Sequence, residues 1–318
     1  MNLFKYSNDN KRYHTFNYYL KNKYHNKVAK VSLNAGFTCP NRDGSKGIGG
    51  CIFCSNSGSG DFAGNAEKSL EQQFCDISKI LQNKWPGCKY IAYFQANTNT
   101  YGPIEKIKSC IEPFLNKKDV VAISIATRPD CLEDDVLQYL STLNSKCDLW
   151  IELGLQTIHD FSIKFIRRGY QNDIFEKAVY HLSQNNIEIV VHIILGLPHE
   201  TKQHMLSTIH YINQLPINGV KLQLLHVLKD TDLAEYYYNG YFNILSLTEY
   251  VDIVCDCIEY LRPDIVIHRL TGDGNSEKLI APLWSKQKRL VLNTIHKTLK
   301  QRNSFQGKKY QTNEKIIK

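Results

Sequence analysis

Cysteines at positions 39, 51 and 54, a C-x11-C-x2-C spacing within CPNRDGSKGIGGCIFC, are the clearest chemical signature in the chain. Two thiolates three residues apart can grip one metal centre, and soft sulfur donors favour zinc or an iron–sulfur cluster. The count matters as much as the type, because three protein ligands leave a coordination position open. Pro40, Gly44, Gly47, Gly49 and Gly50 lie among the cysteines, and glycines let backbone amides approach a buried anionic group closely. By itself the loop reads either as an iron–sulfur site one ligand short or as a zinc site of three cysteines and a histidine. The remaining cysteines add little. Cys255 and Cys257 stand two apart on a predicted helix and point to different sides. Cys75, Cys88, Cys110, Cys131 and Cys147 are scattered singly and read as small buried apolar residues, so a second cluster is not expected.

A loop of this kind needs a rigid frame, and the pattern around it supplies one. Short apolar, β-branched runs recur at 29–35, 90–94, 120–126, 149–155, 188–196 and 220–227. Near-continuous apolar runs predict strands of a parallel sheet buried on both faces. Amphipathic stretches at 67–85, 103–115, 133–144, 174–186 and 202–215 predict the helices between them. Six βα units predict an α/β fold, a partial or complete barrel with its chemistry at the C-terminal ends of the strands. The cysteine loop follows the first strand directly, at that face. Further on, 247–261 predicts a helix, 264–270 a seventh strand, 271–275 a turn, and 277–303 a helix broken near Pro282. With no Pro- or Ser-rich linker, the division is an N-terminal extension (1–28), a core (29–235), a C-terminal helical and strand extension (236–303) and a mobile basic tail (304–318).

Charge is unevenly placed along the 318 residues. The net charge is +8, of which residues 1–28 contribute +5 (six Lys/Arg, one Asp) and residues 301–318 contribute +4 (five Lys/Arg, one Glu). Basic ends on a near-neutral body suit a polyanionic partner or are simply solvated. The first 28 residues interleave tyrosines with lysines, so they either stack on nucleic-acid bases or pack on the body. No apolar run reaches membrane-spanning length and no signal peptide opens the chain, which points to a cytoplasmic protein with reduced thiols and no membrane partner.

Several strand ends carry polar clusters: QANTNTYGP (95–103), TRPDCL (127–132), ELGLQT (152–157), HIILGLPHET (192–201) and HRLTGDG (268–274). Together with RYHTFNYYL (12–20), AKVSLNAGFTCPNRDG (29–44) and GGCIFC (49–54), this ordered set resembles the radical S-adenosylmethionine (SAM) superfamily, in its YhcC/YtqA-like branch, which is related to the Elongator catalytic subunit family. The superfamily usually spaces its cysteines C-x3-C-x2-C, and the longer gap here departs from that pattern. The resemblance implies a partial (β/α)6 TIM-like barrel in which Cys39, Cys51 and Cys54 hold three irons of a [4Fe-4S] cluster. S-adenosyl-L-methionine would chelate the fourth iron, and an electron would cleave it to a 5′-deoxyadenosyl radical.

The resemblance also implies cofactor contacts. The superfamily's Gly-Gly-Glu-like motif is absent after the second strand, and Gln95, Thr98 and Asn99 stand there to accept from the cofactor ammonium. Arg128 would meet a carboxylate or pair with Asp130. Glu152 and Gln156 would face the ribose and methionine parts, or Glu152 is a satisfied interior acid. Arg168 (or Arg167) would approach the cofactor carboxylate, and Gly196 with Pro198 would give backbone contact to adenine. His192 reads as a packed core histidine. The expected partners are an RNA substrate, a tRNA wobble uridine side chain, and an electron donor such as flavodoxin or ferredoxin. The alternatives are a small-metabolite substrate or a non-catalytic iron–sulfur or zinc nucleic-acid-binding module.

Overall fold

Each of the six apolar runs becomes a parallel strand in the computed structural model, which describes residues 4–55, 58, 63–272, 274 and 276–311. The strands are β1 (Val28–Leu33), β2 (Lys89–Phe94), β3 (Val120–Thr127), β4 (Asp148–Gln156), β5 (Glu188–Leu195) and β6 (Gly219–Leu224). A short β7 (Val227–Leu228) follows, then β8 (Val266–Arg269) and β9 (Leu279–Ala281). β8 pairs parallel with β6, so the predicted seventh strand extends the same sheet, in the order β1-β2-β3-β4-β5-β6-β8. β7 and β9 form a separate antiparallel ribbon. The fold is a mixed α/β, curled partial barrel.

The helices are α1 (Phe16–Tyr24), α2 (Leu70–Lys84), α3 (Ile104–Ile111), α4 (Asp134–Asn144), α5 (Asp160–Phe165), α6 (Asn172–Gln184), α7 (Lys202–Asn213), α8 (Asp232–Tyr238), α9 (Leu247–Tyr260) and α10 (Lys288–Gln301). The short α5 and α8 were not predicted. Residues 279–281 are strand rather than helix, because they pair with β7 as the chain approaches Pro282. Among the described residues no helix is long and apolar enough to cross a membrane.

Alternation along each strand sorts the side chains between two environments. Val31, Leu33, Phe94, Ile123, Ile125, Ile151, Leu153, Val191, Ile193, Val220 and Leu222 join the main core with the covering helices. Residues between them turn inward, and there the expectation of two apolar faces fails. At the bottom of the barrel the interior is apolar: Ile91, Ala122 and Trp150 pack with Leu20 and with Phe16, Tyr19 and Tyr24 of α1. Higher up it is polar and charged.

Helix α1 therefore plugs the barrel. Phe16 meets Trp150 edge-on at 5.4 Å, the Tyr24 hydroxyl donates to Asp148 at 2.7 Å, and the Tyr19 hydroxyl donates to Glu188 at 2.8 Å. Of the two readings of the Tyr-rich N-terminus, these rings follow the packing one. The tail also differs from expectation over 304–311. Gln306 is fully buried; its amide donates to the Arg262 and Ile265 carbonyls at 2.8 Å each and accepts from the His14 backbone at 2.8 Å. One side chain thus stitches the two terminal segments to the stretch just before β8. Residues 312–318 of the predicted tail lie outside the described residues.

Gln306→Ala leaves two buried backbone groups, the His14 amide and the Ile265 carbonyl, unpaired, while the Arg262 carbonyl keeps the Ile265 amide. Each such group costs roughly 1–3 kcal/mol, so urea unfolding should show a loss of at least the lower value. A variant as stable as the wild type contradicts the docked tail.

Candidate active site

Strands with polar interiors and a cysteine loop at their C-terminal ends enclose a cavity of about 290 Å³. At one end stand the thiols of Cys39, Cys51 and Cys54; at the other stand Glu152, His192 and Lys221. The cysteine loop is shaped by short-range backbone bonds: the Arg42 amide donates to the Cys39 carbonyl at 2.8 Å, and the Cys54 amide to the Cys51 carbonyl at 2.9 Å. Gly50 sits at φ +88°, a left-handed conformation that favours glycine, and a Cβ there would lie 3.0 Å from the Arg42 side chain. Ile52 then pairs with Ile166 and Leu233, pinning the Cys51–Cys54 turn to the loop after α5 and to α8.

The surroundings of the sulfurs are electropositive. The Asn41 amide approaches the Cys51 sulfur at 3.5 Å, and an Arg128 Nη lies 4.0 Å from the Cys39 sulfur. A hydrogen bond from Cys54, helped by Arg128 and Arg42, pulls the Cys51 thiol down to about 7 against its burial, while Cys54, which gives that bond, is pushed up. Gly169, at φ +84°, lets this packing close: a Cβ there would come 3.0 Å from the Asn41 side-chain oxygen and 3.2 Å from an Arg128 Nη.

The opposite end is a buried ion hub. Glu152 is 1% exposed and accepts from Ser124 at 3.0 Å, Tyr93 at 2.8 Å and His192 at 2.8 Å, and it pairs with both Lys30 and Lys221. Burial alone would raise its pKa, but the charges of Lys221 and Lys30 and the His192 bond hold it well below the ordinary range. Burial and Lys221 take His192 down to about 4, so it is neutral at pH 7. Lys221 also reaches the Tyr93 hydroxyl at 3.1 Å. In a flat sheet four strand spacings, roughly 19 Å, separate β2 from β6, so this contact exists only because the sheet curls.

Of the sequence-predicted contacts, Gln95, Thr98, Arg128, Glu152, Gln156 and Arg168 line the cavity, and Asn99 and Gly196 do not. Asn99 turns its amide to the carbonyls of Phe94, Ala96 and Ala126, tying the ends of β2 and β3 together. Gly196 faces Leu245, its amide against the Met205 sulfur at 3.2 Å.

At three other predicted contacts the groups concerned already have partners within the protein, which for Arg128 and Glu152 is the second of the two readings that the sequence offered. Arg128 makes a bidentate pair with Asp130, both bonds 2.9 Å, and donates to the Arg168 carbonyl at 3.0 Å, so its fork is not turned to an external carboxylate. Arg168 donates to the carbonyls of Tyr170, Leu155 and Thr157 and to Asn172, which makes it a clamp on the exit of β4. Glu152 is the satisfied interior acid, its oxygens taken by the hub. Gln156 bulges out of β4 at φ +61° and meets the Tyr170 hydroxyl at 3.3 Å.

Sequence reading missed Lys30, Tyr93 and Lys221. Their signal was a lysine or tyrosine at alternate positions inside strands otherwise apolar.

A polynuclear iron–sulfur group fits the residues present. The donors are all thiols, they share one cavity end, and N–H groups approach the sulfurs, as clusters are commonly tuned.

Known proteins agree. The sequence signature of the Radical SAM superfamily matches residues 37–212, and that of the Radical_SAM C-terminal domain matches residues 217–301. The chain is 48% identical over 310 residues to YtqA of Bacillus subtilis, covering 98% of this chain and 96% of that one. It is 31% identical over 270 residues to YhcC of Escherichia coli, covering 85% and 86%. A tRNA uridine(34) acetyltransferase of Methanocaldococcus jannaschii is 28% identical over 138 residues, 42% of this chain and 25% of that one. Among solved structures, the archaeal Methanocaldococcus infernus Elp3 with an N-terminal deletion gives a TM-score of 0.66 at 16% identity, covering 88% of this chain and 64% of that chain. That last likeness is one of fold, over less than two thirds of the larger protein.

Lys221 gives a pH test of the hub. Burial lowers its folded value to about 7 from the ordinary 10.5. Between those values the unfolded chain binds a proton that the folded chain does not, so this contribution to stability is fully present above 10.5 and lost as pH falls to about 7. The unfolding free energy of wild type minus that of Lys221→Met should therefore grow from pH 7 to about 10. A difference that is flat with pH contradicts the buried lysine.

Proposed function

The chain belongs to the radical SAM superfamily, and on that premise we propose that Cys39, Cys51 and Cys54 hold three irons of the [4Fe-4S] cluster of an enzyme that modifies RNA in the cytoplasm. The observation that carries the cluster assignment is the convergence of three thiols, with Asn41 and Arg128 directed at the sulfurs, on one end of the polar cavity. When bound, the cluster supplies the electron that cleaves S-adenosylmethionine reductively to a 5′-deoxyadenosyl radical, and a donor of the flavodoxin or ferredoxin kind supplies the cluster.

The chain's own residues bind, orient and exclude water. Arg128 and Arg42 offset the negative charge of the thiolates. Gln95, Thr98 and Gln156 offer side-chain oxygens and hydroxyls along the wall between the cysteine and lysine ends, suited to an ammonium and to ribose hydroxyls. The Arg128–Asp130 pair fixes the end of β3 under the cysteine loop, and Lys46 joins Asp130 at 2.8 Å from the loop itself. The loop is thereby held to the barrel.

For the substrate we propose a tRNA wobble uridine side chain. Three observations support this: the +8 net charge, the resemblance to the Elongator branch, and the partial likeness to a protein named for uridine-34 of tRNA. Acetyl transfer is not implied, since the likeness spans a quarter of that protein. A small acidic metabolite is the second reading, favoured by the limited cavity of about 290 Å³.

Anaerobically reconstituted protein reduced with dithionite should contain iron and acid-labile sulfide and release 5′-deoxyadenosine from S-adenosylmethionine, and Cys51→Ala should lower the release by at least about 100-fold. Zinc without sulfide, or equal product from the variant, sinks the assignment. For the substrate, tRNA nucleosides from cells with and without the gene should differ at a modified uridine; identical profiles favour the metabolite.

A further inference from the structure

The sheet of seven strands does not close, because its edges β1 and β8 are not paired with each other. The lower part of the gap is covered by α1, whose N-cap Thr15 bridges to Ile267 of β8. Beside that cover lies a second cavity, of about 470 Å³, walled by Phe16, Trp85 and Tyr93.

Its charge is one-sided. Lys27, Lys30, Lys221, Arg269 and Lys288 line it, and no Asp or Glu is among its described lining residues. The carboxylate that both Lys30 and Lys221 engage is Glu152. Lys27 donates to the neutral Asn17 side chain at 2.9 Å and stands 4.6 Å over the Trp85 ring. Three lysines thus face one carboxylate; with burial leaving Lys221 only partly protonated near pH 7, the surplus is one to two positive charges even with Arg269 and Lys288 left out. A further polar group points the same way: the His268 ring lines this cavity, and its Nδ1 is buried with no hydrogen-bond partner. Charge held away from water without a counter-charge is unfavourable, and an anion relieves it. A phosphate brings up to two negative charges and several acceptor oxygens, enough to meet three lysine donors at once, where a single carboxylate offers fewer.

We propose that this seam cavity is the phosphate-binding part of the substrate site, where Lys27, Lys30 and Lys221 hold the phosphate of a nucleotide. The two cavities share Tyr93, Gln95, Lys221 and Arg269. A nucleotide anchored at the seam therefore extends its base and ribose along that shared wall toward the cysteine end. The placement rests on the reading that the substrate is RNA, a phosphate-bearing molecule, but it is tested separately.

Isothermal titration of the reconstituted holoprotein with uridine 5′-monophosphate, uridine and succinate makes that test. The monophosphate should bind at least about tenfold more tightly than either of the others, and its affinity should fall as salt rises. Lys27→Glu should weaken monophosphate binding by about tenfold or more. Lys288→Glu, at an exposed rim position, should weaken it in the same direction and guards against a folding defect in the first variant. Lys108→Glu, on α3 away from the seam, should bind as wild type does. Equal binding of uridine and its monophosphate, displacement by succinate at equal concentration, or unchanged binding in both rim variants overturns the proposal. If monophosphate binding behaves as expected while tRNA nucleosides do not depend on the gene, the RNA reading fails and the seam stands. If the nucleosides change while the monophosphate does not bind, the seam fails and the RNA reading stands.

Discussion

A carboxylate shut away from water must be answered by cations and hydrogen bonds, and Glu152 is answered from across the barrel. Lys30 comes from β1, Tyr93 from β2, Ser124 from β3, His192 from β5 and Lys221 from β6. Side chains from five other strands can meet one carboxylate only if the sheet is rolled around it. The hub is therefore both a product of the curl and a reason that one curl is preferred. Replacing any one partner leaves a buried charge or polar group with one partner fewer.

The rest of the interior is ordered along the barrel axis by that hub. Below it, Trp150 and the aromatic face of α1 fill the barrel with apolar packing and keep water from entering at the bottom. Above it, the strand ends diverge into the polar cavity, and the long loop after β1 lays three thiols across the top. A reactive species generated at the thiol end would thus face a closed floor, hydrogen-bonding walls and a lateral opening at the β1–β8 edge. The same geometry explains why the cations gather where they do. The inward positions of the edge strands β1 and β8 are the ones without a neighbour on one side, and Lys30 and Arg269 occupy them.

Much of this was legible in the sequence, for physical reasons that name themselves. The thiol spacing was visible because soft-metal ligands leave few other uses for a Cys-x2-Cys turn in a glycine-rich loop. The strands were visible because every second residue, as in Ile151, Leu153 and Leu155, meets the helical layer and must be apolar. Their inward neighbours were misread for the same reason: a lysine at position 30 or 221 looks like an interruption of an apolar run until the curl of the sheet brings it to Glu152. The tyrosines of α1 were ambiguous because a ring at 19 or 24 is equally fit to stack on a base or to close a barrel, and only the neighbouring Asp148 and Glu188 decide. Arg128 carried two readings, a carboxylate or Asp130, and the structure gives it Asp130; Arg168 was read as a cofactor contact, since sequence does not reveal that the β4-exit carbonyls lie within reach. The strand at 279–281 was hidden by its length, three residues whose only support is the pairing with β7.

The central claim is that a metal cluster and the cationic hub occupy opposite ends of one cavity. An iron-edge anomalous difference map from crystals of the anaerobically reconstituted protein tests it most directly. The account predicts one compact anomalous peak bounded by Cys39, Cys51 and Cys54, within the same cavity as Tyr93 and Lys221. Iron located elsewhere, or a single zinc peak at the three cysteines, would contradict it.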